Sequence, residues 1–141
     1  NEINKKINIR LVKGAYWDTE IKLAQEQGFA DYPVFTKKFA TDISYLACAH
    51  QLYENKNIFS QFATHNAHSI SYIKTLFKER DFEFQKLHGM GDEIYSYFEK
   101  NENFKCRVYA PVGGYKDLLP YLVRRLLENG ANTSFILFLI F

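Results

Sequence analysis

Short runs of β-forming residues alternate with stretches of helical period along almost the whole chain, and this alternation constrains the fold more than any other feature. The β-forming runs are Ile7–Val12, 59–64, Phe82–Leu87 and 106–110. The second is the weakest, but Asn57 precedes it and Asn66 follows it, as strand boundaries require. Asp18 as N-cap and Gly28 as stop predict a helix over 18–27. Residues 41–53 predict a second, with Ile43, Leu46, Ala47 and His50 along one face. Ile70, Ile73 and Phe77 mark a helix after Asn66, and Ile94 and Phe98 a shorter one before the loop at 101–103. The clearest helix follows Lys116, with Asp117 as cap, Pro120 in the first turn and Gly130 at the end. Its apolar stripe is Leu118, Leu119, Leu122, Val123, Leu126 and Leu127. The order β-α-α-β-α-β-α-β-α predicts parallel strands joined by crossover helices, hence an α/β fold. No internal repeat or low-complexity linker interrupts it, so one domain is expected.

Composition narrows the class. Hydrophobic residues make up 47% of the chain, with thirteen Phe and ten Tyr, so apolar surface is ample for a core and disorder is excluded over most of the length. The net charge of +2 comes without any block of like charge, which argues against direct nucleic-acid binding and a polybasic membrane anchor. Cys48 and Cys106 are too few for a disulfide framework and fit a reducing compartment. The first ten residues, NEINKKINIR, contain no apolar signal region. The apolar run at 136–141, ILFLIF, is too short for a transmembrane helix, which needs about 18 such residues. One restriction concerns length: the chain has 141 residues, whereas a complete eight-stranded α/β barrel takes about 250.

In parallel α/β folds, chemistry gathers where strands end, and each β-forming run here leads into a polar or glycine-containing cluster. The first is RLVKGAYWD (10–18), where Gly14 and Ala15 leave room for a ligand and Lys13 adds a cation. A basic strand end followed by an ordinary turn reads the same way. ATHNAH (63–68) puts Thr64, His65 and Asn66 at a strand-to-helix junction, suited either to a phosphate or simply to capping. His65 and His68 lack a nearby acidic or cysteine partner, and His65 precedes the helix, so no metal site is predicted. FQKLHGMG (84–91) and YAPVGG (109–114) follow; His88 reads as structural, and Tyr109 is placed to project over a pocket. Arg124 and Arg125 are adjacent on the last helix. Their guanidinium forks suit a carboxylate or phosphate if both bend toward one anion. Tyr121 precedes Arg125 by four residues and Glu128 follows Arg124 by four, so a solvated i,i+4 pair is the alternative.

Taken in order, these clusters closely resemble the proline dehydrogenase domain of the bifunctional proline-utilization A flavoenzymes. The matching segments are RLVKGAYWDTEIK (10–22), YPVFTKK (32–38), TDISYLACA (41–49), FATHNAH (62–68), FEFQKLHGMG (82–91), YAPVG (109–113) and DLLPYLVRRLLENGANTSF (117–135). The resemblance implies a (β/α)8 TIM-type barrel, of which 1–135 would form about the C-terminal four βα units. It also implies FAD-dependent oxidation of L-proline to 1-pyrroline-5-carboxylate, with electrons passing on to a membrane quinone. Arg10 would then lie near the flavin N5 and stabilise charge on the reduced ring. Val12, Lys13, Gly14, Ala15 and Trp17 would line the cofactor, with Lys13 close to its phosphates. Thr36 and Lys37 would reach its distal part, and Thr64 and His65 its phosphate-ribose region. Arg124 and Arg125 would grip the substrate carboxylate, with Glu128 orienting them. Ala15, Tyr16, Leu87, Tyr109 and Tyr121 would shape a small apolar pocket for the proline ring.

The family pattern also exceeds this chain. Its earlier strands supply an acidic residue, a lysine and further flavin contacts, and the bifunctional members add an aldehyde dehydrogenase domain. The expected setting is therefore a protein of the cytoplasm, peripheral to the inner membrane when complete. The run at 136–141 falls outside the pattern and reads as a truncation or frame change. A half-barrel by itself is expected to be inactive or nearly so. The alternatives are a non-enzymatic remnant, a half that complements a separate N-terminal half, or an unrelated barrel segment that holds a phosphorylated ligand through Thr64 and Lys13.

Overall fold

The computed structural model of the chain describes residues 6–14, 16–101 and 105–132, with side chains characterised through 126 apart from that of 101. Ala15, the side chain of Glu128 and the apolar run at 136–141 thus lie outside the described residues. The elements are β1 (Ile7–Val12), α1 (Trp17–Glu26), α2 (Lys38–Glu54), β2 (Ile58–Ala63), α3 (Ala67–Leu76), β3 (Phe82–Leu87), α4 (Asp92–Asn101), β4 (Cys106–Tyr109) and α5 (Tyr115–Asn132). The chain is α/β, and its element order is the one the alternation predicts.

Two compact units emerge, one made of 1–13 and 43–110 and the other of 14–42 and 111–141. The first contains a parallel sheet of order β1-β2-β3-β4, each strand beside its successor. Its register pairs Arg10 with Gln61, Gln61 with Glu83, and Gln85 with Arg107. Successive side chains alternate between faces, so Leu11, Phe62, Phe84 and Cys106 point to one side and Arg10, Gln61, Glu83, Gln85 and Arg107 to the other.

Helices cover the first of these faces. Tyr45, Ala49 and Leu52 of α2, Ile70 and Ile73 of α3, Phe77 and Tyr95 join Phe62 and Phe84 in one buried cluster. The high aromatic content is spent here: Phe62 and Phe77 meet edge to face at 5.0 Å, and Phe77–Phe82 and Phe82–Phe84 lie at 5.2 and 5.1 Å. Such pairs add about 0.5–1.5 kcal/mol each beyond their buried area.

Several local expectations need correction. Tyr16, not Asp18, is the N-cap of α1; Asp18 falls in the first turn with Glu20, where the helix dipole favours acidic groups. α2 begins at Lys38 rather than 41, and its buried face is Tyr45, Ala49 and Leu52. Ile43 is 64% exposed and His50 is also exposed, because burying Ala49 and its i±3/4 neighbours turns both outward. β2 lies one residue earlier than expected and β4 ends at Tyr109. α5 starts at Tyr115, so Asp117 is in its first turn rather than capping it, and Pro120 falls in the second turn. The helix also runs two residues past Gly130, since glycine lowers helix propensity without forbidding helix.

Candidate functional site

In the first unit, the turn from β2 into α3 is closed by side chains. Thr64 Oγ1 accepts from the Asn66 N–H at 3.2 Å. Asn66 caps α3, its Oδ1 accepting from the Ser69 N–H at 2.9 Å and the Ser69 hydroxyl at 3.2 Å. Lys13, just past β1, donates from Nζ to Ser69 Oγ at 3.2 Å and lies 4.9 Å from the Tyr45 ring centroid. The register of β1 on β2 brings Lys13 and the start of α3 together, for Val12 pairs with Ala63. Asn66 takes the Ser69 N–H, whereas the first-turn N–H groups of Ala67 and His68 are not among those it takes. An ammonium beside a helix N-terminus is a donor set that fits a phosphate and repels a cation. On this observation the residues present fit the phosphate-bearing part of a dinucleotide.

His65 is fixed by the backbone of the next strand, its Nε2 accepting from the Leu87 N–H at 3.1 Å. That bond assigns the proton of the neutral ring to Nδ1. Tyr95 stands edge-on to His65 at 6.4 Å and donates its hydroxyl to the Thr64 carbonyl at 2.5 Å. Leu87 itself is 1% exposed.

A polar layer crosses the sheet face opposite the helices. Arg10 Nε donates to Gln85 Oε1 at 2.7 Å, and its guanidinium carbon sits 5.1 Å from the Tyr109 ring centroid. Gln85 in turn donates to Glu83 Oε1 at 2.8 Å, as does Gln61 at 2.9 Å. Arg107 completes the layer with a two-pronged contact to Glu83, Nε to Oε1 and NH2 to Oε2, both at 2.9 Å. The Arg107 guanidinium, foremost, and the two amides hold the buried Glu83 carboxyl below the usual carboxylate range despite desolvation.

The second unit carries the other predicted residues. Gly14 adopts φ +87°, a conformation that favours glycine. Trp17 donates its indole N–H to the Phe35 carbonyl at 2.9 Å, tying the start of α1 to the segment holding Thr36 and Lys37, both exposed. On α5, the Arg124 guanidinium lies over the Tyr16 ring at 5.2 Å and that of Arg125 over the Tyr121 ring at 5.2 Å. Arg125 is only 7% exposed. Among the described residues, Arg124 Nε is buried with no hydrogen-bond partner.

Sequence reasoning singled out Arg10 and Tyr109 but missed Gln61, Glu83, Gln85 and Arg107, which join them. The available signal was polar residues at alternate positions within otherwise apolar strands, QFA, EFQ and CRV, which marks one face as polar. Among the described residues, no three His, Cys, Asp or Glu side chains cluster as a metal site needs. No helix of the described residues is long and apolar enough to cross a membrane.

Fold and donor sets define the class: a parallel α/β chain with a phosphate-type donor set and an arginine pair. The family model "Proline dehydrogenase" matches residues 1–137, and the chain belongs to that family. Bifunctional protein PutA of Klebsiella aerogenes and that of Escherichia coli strain K12 are each 54% identical to it over 142 residues, covering 94% of this chain. Proline dehydrogenase 1 of Bacillus subtilis is 33% identical over 137 residues, covering 94% of this chain and 40% of the relative. A solved structure of proline utilization A with proline bound in remote sites superimposes with TM-score 0.81 at 55% identity, over 93% of this chain and 14% of the other. A mutant of Bradyrhizobium japonicum Proline Utilization A gives TM-score 0.81 at 55% identity, over 92% and 14%. The chain spans 11% of the length of the PutA relatives it matches.

Proposed function

We propose that this chain serves FAD-linked oxidation of L-proline to 1-pyrroline-5-carboxylate, as a segment of a proline dehydrogenase barrel. The observation that carries the reading is the Arg124 Nε, buried and without a hydrogen-bond partner among the described residues, on the same helix as the buried Arg125. A buried guanidinium donor left unmet is costly, and a bound carboxylate satisfies it. Family membership makes proline the natural owner of that carboxylate.

FAD, when bound, would supply the two-electron acceptor. Lys13 and the N-terminus of α3 would hold its phosphates, with Thr64 and His65 at the same turn; the family resemblance assigns Val12, Gly14, Ala15, Trp17, Thr36 and Lys37 to the rest of the cofactor. Arg10 places a permanent cation at the carboxyl end of β1, where negative charge develops as the substrate is oxidised. Arg124 and Arg125 would orient the substrate through its carboxylate, and the family resemblance assigns Glu128 the role of orienting the pair. Of the residues the family resemblance assigns to the substrate ring, Leu87 and Tyr109 lie in the first unit and Tyr16 and Tyr121 in the second. Onward transfer of electrons to a membrane quinone, a cytoplasmic position peripheral to the inner membrane, and coupling to an aldehyde dehydrogenase domain belong to the same reading.

A second reading concerns the 141 residues by themselves. β1 and β4 are the two edges of the sheet, and β1 is exposed at five of its six positions. Open edges and an uncovered strand favour pairing with further barrel strands, so the chain alone is proposed to be inactive and a complementing barrel half to restore turnover. The test is a graft of residues 1–137 over the matched segment of the Escherichia coli relative. The grafted protein should oxidise proline, and Arg125→Lys should raise KM for proline about tenfold or more, since an ammonium cannot replace the fork. An unchanged KM contradicts the assignment of the carboxylate site.

A further inference from the structure

Arg10 is held by a chain of hydrogen bonds whose polarity is dictated at the far end. The Glu83 carboxylate can only accept, and it accepts from Gln61, Gln85 and Arg107 at 2.8–2.9 Å. A glutamine amide has one donor end and one acceptor end. With its NH2 committed to Glu83, Gln85 must turn its oxygen toward β1, where it meets Arg10 Nε at 2.7 Å. Gln85 is 7% exposed and Glu83 6% exposed, so water offers no easy substitute for either partner. The Tyr109 ring then supports the guanidinium 5.1 Å away. The bond to Gln85 uses Nε and not the two terminal nitrogens of Arg10. An exposed arginine bonded at Nε and lying over a ring keeps fewer rotamers than a free one.

We propose that Gln85 is a positioning residue for Arg10 and that Glu83, clamped by Arg107, sets the orientation of the Gln85 amide. The strands supply this device in register: Gln61 and Glu83 lie level with Arg10, and Gln85 level with Arg107. The inference rests on the reading in which Arg10 serves the flavin-linked reaction. It adds that the electrostatic contribution of Arg10 depends on a buried amide bonded to Arg10 on one side and Glu83 on the other.

The experiment is a double-mutant cycle in the grafted barrel loaded with FAD, using Gln85→Met and Arg10→Met. Gln85→Met keeps the length of the side chain and removes both hydrogen bonds. It should lower kcat about tenfold or more, as expected for losing a buried bond to a charged group, while KM for proline changes less than threefold. In the Arg10→Met background the same substitution should change kcat less than twofold. Two readouts lie outside turnover. The Arg10 Nε–H should exchange slowly in the parent and fast in Gln85→Met, and the reduction potential of the bound flavin should fall. Glu83→Gln keeps the shape of the hub but lets the amide at 85 turn over, so a smaller loss of kcat, about threefold, is expected with the same change in Nε–H exchange. Equal losses from Gln85→Met in both backgrounds, or an Nε–H that stays protected, would overturn this inference alone. No effect of Arg10→Met on kcat overturns the underlying reading together with it.

Discussion

Gly91 and Gly89 offer a matched test of how tightly His65 is held. Both have positive φ, +68° and +77°, so an alanine at either position incurs the left-handed backbone cost, roughly 1 kcal/mol. They differ in what an added Cβ meets. At Gly89 nothing lies within 4 Å, whereas at Gly91 the methyl falls 3.0 Å from His65 Cδ2 and 3.3 Å from Tyr95 Cδ2. Neither ring can retreat freely, because His65 Nε2 accepts from Leu87 and the Tyr95 hydroxyl donates to the Thr64 carbonyl. Overpacking of a fixed contact of this kind costs about 1–3 kcal/mol. Gly89→Ala should therefore destabilise by roughly 1 kcal/mol and Gly91→Ala by about 2–4 kcal/mol. Equilibrium urea unfolding followed by circular dichroism measures both, and the excess for Gly91→Ala corresponds to a midpoint roughly 1 M lower. Nitrogen–proton correlation spectra of the imidazole should also show His65 losing its fixed Nδ1–H tautomer in Gly91→Ala only. Equal destabilisation by the two substitutions would refute the claim that His65 and Tyr95 are immobilised against this turn.

Tyr95→Phe should cost about 1–3 kcal/mol in urea unfolding, since it leaves the buried Thr64 carbonyl without its 2.5 Å donor; a cost near zero would mean another donor replaces it. Glu83 predicts a pH dependence: its carboxyl is depressed in the folded state, so its contribution is present above the unfolded carboxylate value and is lost as pH falls through the folded one. Thermal melts between neutral and acid pH should thus show the parent losing more stability than Glu83→Gln, and parallel profiles would contradict this. Lys13→Met in the grafted barrel should lower the fraction of protein purified with flavin, read from its visible absorbance, because the ammonium at Ser69 is removed from the phosphate donor set. Undiminished flavin content would contradict that assignment.

Much of the fold was legible because its signals are local. Alternation of strand and helix periods does not depend on distant partners, and it yields the parallel sheet. Boundaries were less legible, since they depend on which neighbours pay for each turn: Asp18 and Asp117 look like caps, but α1 and α5 each begin two residues or so earlier, at Trp17 and Tyr115. The face of α2 was misjudged because aliphatic Ile43 outranks Tyr45 in a pattern, while packing on Phe62 and Phe84 selects Tyr45, Ala49 and Leu52. At the site, Thr64, His65 and Lys13 could be found from the junction of strand and helix. The layer around Glu83 could not, because its bonds join residues up to 75 positions apart and depend on strand register.

The proposed part of these residues in a proline-oxidising flavin site is tested most directly by anaerobic addition of L-proline to the grafted barrel that carries residues 1–137 in place of the matched Escherichia coli segment. The protein should be yellow, and its visible flavin band should bleach on adding proline. Arg124→Lys should need a much higher proline concentration for the same bleaching. A protein that purifies colourless, or one that binds FAD yet keeps its band unchanged with saturating proline, would contradict the proposal.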